Sequence, residues 1–526
     1  MENINFAPYL DSLDGLVRKA CAHLQGDLDE EQIELYDLAF VQAELLAART
    51  LISQTEQSPQ LVPVCQYFCA NAIVTITQKL AVRPQTFGLA QSELPALDKL
   101  QDFLAPEAIA ALGRQYLEEG LVDDSLDDEK RIIRDTFKEF ADDVVKPLAE
   151  EVHRKDLLVP ADILEPLKAM GVFGLSVPER FGGLKPDTTE DSMGMVIVTE
   201  ELSRGSLGAA GSLITRPEIM ARALLEGGTD EQQARWLPQI ASGQTLCAVS
   251  VTEPNTGSDV ASVALKATRT DGGWVLDGGK TWCTYAGAAG ALLVLARTHA
   301  DAKPAHKGLS LFVVEKPSYD GHDFEYEQAD GGKMTGRAIP TLGYRGMHSF
   351  EMSYDNFFVP DDCLIGGEAG EGKGFYFTMR GFMGGRLQTA ARACGLMRAA
   401  FEESMSYSQD RMVFGRSVAS YPLSLAKLAR MGALITACKA FTAHVAGLMD
   451  QGLGQMEASL VKLFSCRAAE WVTREGVQIH GGMGYAEEVA VSRYFADARV
   501  LSIFEGAEET LAIRVVGKSL VDQARN

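Results

Sequence analysis

The sequence predicts an α+β protein that is mainly helical, and three observations support this fold class. Residues 34–54 repeat apolar side chains at three- and four-residue spacing, as an amphipathic helix does. Residues 245–360 instead contain short β-branched and aromatic runs separated by Gly, Asp and Pro, which is typical of strands and turns. A hydrophobic content of 46% and a charged content of 23% over 526 residues allow several folded domains.

The elements are grouped into four predicted domains. Helical patterns run from Leu10 to Glu118, and an acidic stretch at 122–129 predicts a linker with a boundary near Ser125. The later boundaries follow the changes between helical and strand-like patterns. The predicted domains are a helical N-terminal extension at 1–124, a helical domain at 125–244, a middle antiparallel β domain at 245–360 and a C-terminal four-helix bundle at 361–526.

Turn and helix patterns add detail to the last two domains. Asp-Gly-Gly occurs at 271–273 and again at 277–279, and these two turn signals are expected to bracket one strand of an antiparallel hairpin. Long Ala- and Leu-rich segments predict the packed helices of the bundle. These predicted helices cover 375–409, 421–450, 454–480 and 506–522.

Charge and composition exclude several classes of function. The 72 acidic and 49 basic side chains give a formal charge of −23, which repels phosphate backbones and anionic lipid, so we expect no nucleic-acid or membrane partner. The nine cysteines contain no CxxC pair, and the histidines form no ligand set, so no metal site is predicted. The first residues lack the basic and apolar parts of a secretion signal, and no apolar run reaches the ~18 residues of a membrane span. We therefore expect a cytoplasmic protein.

Five separated motifs carry a resemblance to a known family. The α, α, β, α order of segments differs from a Rossmann fold, and the Gly-rich segment at 366–374 lacks the GxGxxG spacing. The motifs are VTEPNTGSD at 251–259, KTWCT at 280–284, RMVFG at 411–415, QIHGGMG at 478–484 and FEG at 504–506. In order and spacing they resemble the acyl-CoA dehydrogenases over residues 126–520, with the extension outside the common core.

The resemblance implies a flavoprotein that binds FAD and an acyl-CoA thioester. In this family a carboxylate removes the proton α to the thioester carbonyl while the β-hydrogen leaves as hydride to flavin N5. Glu505 matches the catalytic base, and its apolar neighbours would desolvate the carboxylate. The alternative base position of some relatives is Gly385 here, so only Glu505 can serve. Ser258, Arg386 and Gly506 match residues beside the substrate.

The resemblance also assigns the cofactor contacts. The aromatic ring and hydroxyl of KTWCT are expected beside the isoalloxazine, and the guanidinium of RMVFG is expected at the FAD pyrophosphate of a neighbouring subunit. Two positions depart from the family: Pro422 replaces a common Gln, and Ala507 replaces a common Thr. The predicted cofactor-binding residues are Val251, Thr252, Gly257, Ser258, Trp282, Cys283, Thr284, Arg411, Phe414, Gln478, Ile479, Gly481, Gly482 and Ala507.

Arg216 is the candidate for substrate selection. It follows a small, apolar stretch at 205–215 that aligns with the family's acyl pocket, so a cation there suggests a substrate with a second carboxylate. The alternative is a surface helix residue paired with Glu218 or Glu226. With its helical extension and Arg216, the chain most resembles the family members that oxidise (2S)-methylsuccinyl-CoA to mesaconyl-C1-CoA in the ethylmalonyl-CoA pathway. Enzymes acting on glutaryl-CoA carry their Arg where this chain has Ala210.

Other functions and partners remain open at the level of sequence. A short or branched monocarboxylic acyl-CoA dehydrogenase, an acyl-CoA oxidase and a non-catalytic flavin-binding scaffold share most of these motifs, whereas a flavin monooxygenase would not require Glu505. The resemblance implies an electron-transfer flavoprotein as electron acceptor. The extension is expected to pack where a second dimer would dock, which favours a homodimer over a tetramer.

Overall fold

The computed structural model describes residues 4–122 and 126–525. The boundary predicted near Ser125 lies outside the described residues. The chain divides into two compact units: a terminal unit, which combines the chain up to Arg134 with the chain from Thr389 onward, and a central unit from Asp135 to Gln388. The helices at Asp128–Phe140 and Gly374–Asp410 are each divided between the two units.

The terminal unit is all-helical apart from a short hairpin. Its helices are α1 (Ala7–His23), α2 (Gln32–Thr55), α3 (Val62–Val82), α4 (Pro106–Glu119), the start of α5 (Asp128–Phe140), the end of α11 (Gly374–Asp410), α12 (Pro422–Asp450), α13 (Gln455–His480), α14 (Ala490–Leu501), α15 (Glu508–Thr510) and α16 (Lys518–Arg525). A π-helical segment, Leu511–Gly517, joins α15 to α16. The predicted helical extension and helical C-terminal region are confirmed.

The extension packs directly on the C-terminal helices. α2 and α4 both contact α12, and α2 also contacts α13. The contact is close at Gly113 of α4, where an added Cβ would lie 2.3 Å from the carbonyl oxygen of Leu425. Only glycine permits such an approach of two helix backbones. The extension therefore shares one hydrophobic unit with the C-terminal helices.

The C-terminal region contains one helix that the sequence analysis missed, namely α14. Its buried residues Val491, Tyr494, Ala498 and Leu501 recur at three- and four-residue spacing. They were overlooked because the helix is short and its other positions carry Arg and Asp, which lowers its overall hydrophobicity. The last predicted helix, 506–522, begins two residues later and continues to Arg525.

The central unit contains helices and one sheet. Its helical elements are the end of α5, α6 (Lys146–Lys155), α7 (Ala161–Ala169), α8 (Ser192–Gly205), α9 (Thr215–Gly227), α10 (Asp230–Ala241) and the start of α11. The strands are β1 (Cys247–Ser250), β2 (Lys266–Thr270), β3 (Gly273–Thr284), β4 (Ala291–Arg297), β5 (Leu309–Glu315), β6 (Asp323–Glu327), β7 (Lys333–Ala338) and β8 (Ser349–Pro360).

The sheet is mixed, whereas the sequence predicted an antiparallel one. Its order is β1-β4-β2-β3-β8-β7-β6, with β5 also paired to β4. Most pairs are antiparallel, but β4 runs parallel to both β1 and β2. Residues 291–296 of β4 are all buried, as expected for a strand covered on both faces. An apolar run of this kind gives no information about the direction of its neighbours.

One of the two predicted turns is a bulge. Asp271 and Gly272 form the turn between the antiparallel strands β2 and β3, as predicted, and Gly273 begins β3. Asp277-Gly278-Gly279 lies inside β3, so the prediction of a turn there is wrong. The pairing with β8 shifts between Leu276 and Gly278, Gly278 has φ 136°, and Asp277 accepts a hydrogen bond from the Asn356 amide at 2.8 Å. Glycine within a strand commonly marks such a bulge.

Two helices are long and apolar enough to cross a membrane by length and composition alone, Pro59–Val82 and Pro422–Asp450. Of the most apolar 18-residue stretch in each helix, 56% and 61% respectively are buried inside the protein. Both contact other helices of the terminal unit, with α12 lying against α2, α3, α4 and α13. Packing within that unit accounts for their composition.

Candidate active site

The first candidate motif is a loop that two buried charges fix to the sheet. Lys280 of β3 donates to the Val251 carbonyl at 2.8 Å and forms an ion pair with Glu253 at 2.9 Å. Glu253 also accepts the amides of Ala264 and Leu265, each at 2.8 Å. Burial lowers the pKa of Lys280 to about 8, while Glu253 opposes that shift. These contacts of Lys280 and Glu253 hold both ends of the loop, and Gly257 and Ser258 are exposed at the tip of the loop.

The strand segment Trp282–Thr284 presents a ring and a hydroxyl in different environments. The β3–β8 pairing shifts between Lys280 and Cys283, and Trp282 has φ 57° and is 55% exposed, so it is not a core residue. Thr284 is buried, with its hydroxyl 2.9 Å from that of Ser349. Cys283 points into the core, where its thiol contacts the Ser250 hydroxyl at 3.3 Å. Only the backbone of Cys283 can therefore face a cofactor.

Arg216 lies at the start of α9 and is only 5% exposed. Its Nη1 donates to the Tyr344 hydroxyl at 2.9 Å and to the Ser212 carbonyl at 3.2 Å. Among the described residues it forms no ion pair with a carboxylate. Glu218 instead pairs with Arg222 at 2.7 Å, and Glu226 pairs with Arg380 at 3.5 Å. The surface alternative for Arg216 is therefore wrong.

Small residues allow the Tyr344 segment to pack against the predicted acyl stretch. Residues Leu207–Gly211 form a buried π-helical turn. An added Cβ at Gly208 would lie 2.2 Å from the Arg345 carbonyl, and one at Gly346 would lie 3.2 Å from Ala209 Cα. The two backbones are thus in direct contact, which fixes the position of Tyr344. Arg386, the other predicted substrate residue of the central unit, is half-buried on α11.

In the terminal unit, Glu505 lies on a tight turn between α14 and α15. It is half-buried and has φ 54°, and Gly506 after it has φ 99°. The amide of Glu508 donates to the Ser502 carbonyl at 3.1 Å, and Lys462 of α13 donates to the Gly506 carbonyl at 2.6 Å. A left-handed φ is uncommon for glutamate and requires such support from neighbours. Ala507 follows as the residue before α15.

The remaining predicted cofactor residues occupy the ends of α11 and α13. Arg411 and the 94% exposed Phe414 lie at the hairpin formed by β9 (Met412–Val413) and β10 (Arg416–Ser417). Gln478 and Ile479 lie in the last turn of α13, which ends at His480, and the exposed Gly481 and Gly482 follow. The rings of Tyr407 and His480 stack at 4.3 Å and hold the two helix ends together. The structure therefore brings these two motifs together within the terminal unit.

A cluster that the sequence did not indicate involves Asp156, His322 and His348. Each offers one possible metal-ligand atom, and these atoms lie within 4.8 Å of one another. His348 Nε2 lies 3.0 Å from Asp156 Oδ1, and Arg345 Nε lies 3.5 Å from the same oxygen. Because the arginine already compensates the carboxylate, we interpret the group as a hydrogen-bonded cluster.

Sequence reasoning missed several residues that support the site. Tyr344, Ser349 and Lys462 each contact a predicted residue or its loop. The surrounding sequence indicated a role for these residues only weakly, since Tyr344 lies in a Gly-rich loop and Lys462 interrupts the apolar run of α13. Contacts between distant parts of the chain gave them their roles.

The residues present suit a flavin dinucleotide by their chemistry. Trp282 offers an exposed aromatic face, Thr252 and Ser258 offer hydroxyl groups, and Arg411 offers an exposed guanidinium of the kind that binds phosphates. At Gly481 an added Cβ would meet no atom within 4 Å, which leaves room for a ligand beside the backbone.

The fold and these residues define a family of oxidoreductases. Three acyl-CoA dehydrogenase family models match the chain: the N-terminal domain at 127–244, the middle domain at 248–357 and the C-terminal domain at 372–521. The chain belongs to the acyl-CoA dehydrogenase family, whose members are flavin-dependent enzymes. The resemblance found in the sequence is confirmed.

Individual members of known function or structure are similar to this chain over about three quarters of its length. The chain is 43% identical over 399 residues to a (2S)-methylsuccinyl-CoA dehydrogenase of Cereibacter sphaeroides, covering 76% of this chain and 70% of the relative. It is similar to the solved butyryl-CoA dehydrogenase of Megasphaera elsdenii, with 28% identity, a TM-score of 0.68, and coverage of 76% of this chain and 100% of that one. The chain is also similar to a chain in a solved structure of the electron-transferring flavoprotein of Acidaminococcus fermentans. The two chains are 27% identical with a TM-score of 0.67, and the similarity covers 75% of this chain and 98% of that one.

Proposed function

We propose that this protein catalyses the FAD-dependent α,β-dehydrogenation of a short, branched dicarboxylic acyl-CoA. The best candidate is (2S)-methylsuccinyl-CoA, with mesaconyl-C1-CoA as the product. The single observation that carries this choice is Arg216, a buried guanidinium whose contacts among the described residues are with neutral oxygen atoms. The methylsuccinyl-CoA dehydrogenase relative supports the same substrate.

A buried guanidinium without a carboxylate is costly to the free protein. Transfer of an unpaired charge from water into the interior is strongly unfavourable, and pairing with an anion recovers much of that cost. Guanidinium groups bind carboxylates through two parallel N–H donors, and within residues 4–122 and 126–525 the hydrogen bonds of Arg216 come from Nη1 alone. A substrate carboxylate at the far end of a short acyl group satisfies the remaining donors. A monocarboxylic acyl group would leave them unpaired.

In the proposed reaction Glu505 removes the proton from the carbon α to the thioester. The carboxylate receives that proton, and the β-hydrogen leaves with its electron pair. A bound FAD supplies the two-electron acceptor for this step. Arg216 holds the second carboxylate, which sets the position of the acyl chain, and Tyr344 in turn orients the guanidinium.

The cofactor, the partners and the location follow from the same proposal. Trp282, Thr284 and the loop at 251–258 would contact the flavin part of FAD. Arg411 and the end of α13 would contact the phosphates and adenosine of the FAD bound by a neighbouring subunit. An electron-transfer flavoprotein would reoxidise the enzyme, and the similarity to the Acidaminococcus structure supports this choice. Because all nine cysteines are free, a reducing cytoplasm suits the protein.

A substrate screen tests the proposal. The purified protein is mixed anaerobically with methylsuccinyl-CoA, butyryl-CoA, isovaleryl-CoA and glutaryl-CoA, and bleaching of the flavin absorbance is followed. We expect methylsuccinyl-CoA to bleach the flavin with the highest second-order rate constant. A preference for butyryl- or isovaleryl-CoA would instead establish the monocarboxylic alternative. Rapid reoxidation in air without an electron-transfer flavoprotein would establish an oxidase.

A further inference from the structure

The N-terminal extension contacts the turn that carries Glu505. On α2, Tyr36 and Phe40 lie one helical turn apart, with their ring centroids separated by 5.1 Å. The hydroxyl of Tyr36 donates a hydrogen bond to the carboxylate of Glu508. Glu508 is the first residue of α15 and follows Glu505 by three positions. A side chain of the extension is therefore bound to the element that begins directly after the candidate base.

Arg467 of α13 completes this contact. Its Nη2 lies 2.6 Å from Glu508 Oε1 and also donates to the Tyr36 hydroxyl. Its Cζ lies 3.6 Å from the centre of the Phe40 ring. The Glu508 side chain is mostly buried, so these charge-assisted bonds are formed in a partly dry environment where they are strong. Tyr36 and Arg467 thus fix the orientation of the Glu508 carboxylate.

The turn depends on such an anchor because its backbone is strained. Glu505 has φ 54°, a conformation that a residue with a Cβ adopts only when its surroundings hold it there. On one side of the turn, the Ser502 hydroxyl bonds to Glu470 at 2.5 Å. On the other side, the Glu508 side chain reaches the extension. Lys462 also holds the Gly506 carbonyl at 2.6 Å. Release of the Glu508 side chain would therefore remove one of the supports of the C-terminal half of the turn, loosen that half and allow the Glu505 carboxylate to move.

We infer that Tyr36 is a positioning residue for Glu505 and acts through Glu508. Tyr36 precedes residue 127, where the family models begin. The extension therefore contributes to the reaction itself as well as to packing. This inference rests on the proposed function, because it takes Glu505 as the base.

The test uses the variant Tyr36→Phe in the full chain. It removes the hydroxyl and keeps the ring that packs beside Phe40. The matched control is Tyr67→Phe on α3, which removes a tyrosine hydroxyl from the extension away from this turn. We expect backbone hydrogen exchange at residues 503–508 to accelerate in Tyr36→Phe only. Flavin reduction by substrate should slow about tenfold, a modest share of what misplacement of a reacting group can cost.

A positioning role and a purely structural role of Tyr36 predict different kinetic results. For a positioning residue, the KM for substrate, the FAD content and the melting temperature of Tyr36→Phe stay near those of Tyr67→Phe, while kcat falls. The double variant with Glu508→Gln should be no slower than Glu508→Gln alone, because both changes break one chain of contacts. Additive losses would show that Tyr36 acts by another route.

Two measurements separate the possible failures. If Tyr36→Phe matches Tyr67→Phe in exchange, or shows faster exchange with unchanged flavin reduction, Tyr36 does not position Glu505. If the wild type reduces no flavin with any acyl-CoA, the proposed function fails. In that case the role of Tyr36 as the base's positioning residue fails with it, while hydrogen exchange still decides whether Tyr36 anchors the turn.

Discussion

The Nη1 atom of Arg216 lies 2.9 Å from the hydroxyl oxygen of Tyr344, and the two residues are separated by 128 positions in the chain. The tyrosine orients the guanidinium without neutralising it. A neutral partner leaves the positive charge available to an anionic ligand, whereas a glutamate would consume it. This pair is therefore suited to select substrates by charge.

Replacement of Arg216 by Ala should change substrate selection. We expect kcat/KM for methylsuccinyl-CoA to fall by at least about 100-fold, because the substrate carboxylate then loses its buried partner. The value for butyryl-CoA should change far less. Tyr344→Phe should lower the methylsuccinyl-CoA value about tenfold, as expected for one hydrogen bond to a charged group. The control is Arg180→Ala, which removes an exposed arginine. Equal losses of kcat/KM for methylsuccinyl-CoA and butyryl-CoA in Arg216→Ala would reject the anion site.

Glu505→Gln should abolish turnover while the protein keeps its cofactor. Glutamine preserves the size of the side chain but cannot accept the α-proton, so substrate-dependent flavin bleaching should slow by more than about 100-fold. The flavin spectrum before addition of substrate should be unchanged. Glu509→Gln, an exposed change four residues later, serves as the control. Bleaching at the wild-type rate in Glu505→Gln would refute the assignment of the base.

Arg411→Ala should weaken retention of FAD. The exposed guanidinium is expected to contact the pyrophosphate, and loss of one charged hydrogen-bonding group costs about 2–3 kcal/mol, or roughly 30- to 150-fold in the dissociation constant. Flavin content after gel filtration and titration of apoprotein with FAD measure this effect. Arg337→Ala, a change at an exposed side chain of β7, provides the control. Full flavin content with unaltered affinity would remove Arg411 from the cofactor site.

His348 should make folding stability depend on pH. Burial lowers its pKa below the ordinary value of 6.5, although Asp156 opposes the shift. Between the folded pKa and 6.5, the unfolded chain binds the proton that the folded chain does not bind, so stability decreases as the pH falls through this range. Urea unfolding of the wild type, His348→Asn and the exposed control His444→Asn at a series of pH values tests this. Only His348→Asn should show a shallower loss of stability, and an unchanged slope would contradict the prediction.

The full chain should be a homodimer in solution. The extension covers parts of α12 and α13 through α2 and α4, which supports the idea that it occupies the face where a second dimer would dock. Sedimentation equilibrium should therefore give twice the chain mass of 56.9 kDa across a wide concentration range. A stable tetramer would show that the extension does not block further assembly.

Local patterns predicted the fold class because they report on local backbone preference. The spacing of apolar residues indicated the helices of the extension and the bundle, and the strand-like texture indicated the β domain. The same patterns failed at Asp277-Gly278-Gly279 and at α14. In the first case a strand neighbour, β8, decided between a turn and a bulge, and in the second a short helix was carried by its buried face.

The sequence by itself determined the class of fold, the family and the position of the candidate base, since each depends on residue types at fixed spacing along the chain. Only the tertiary structure decided that Arg216 is buried beside a neutral tyrosine and that Tyr36 contacts Glu508 across 472 positions. The charge state and partners of a side chain depend on what packs around it. Packing between distant segments is a property of the folded chain, and local spacing does not encode it.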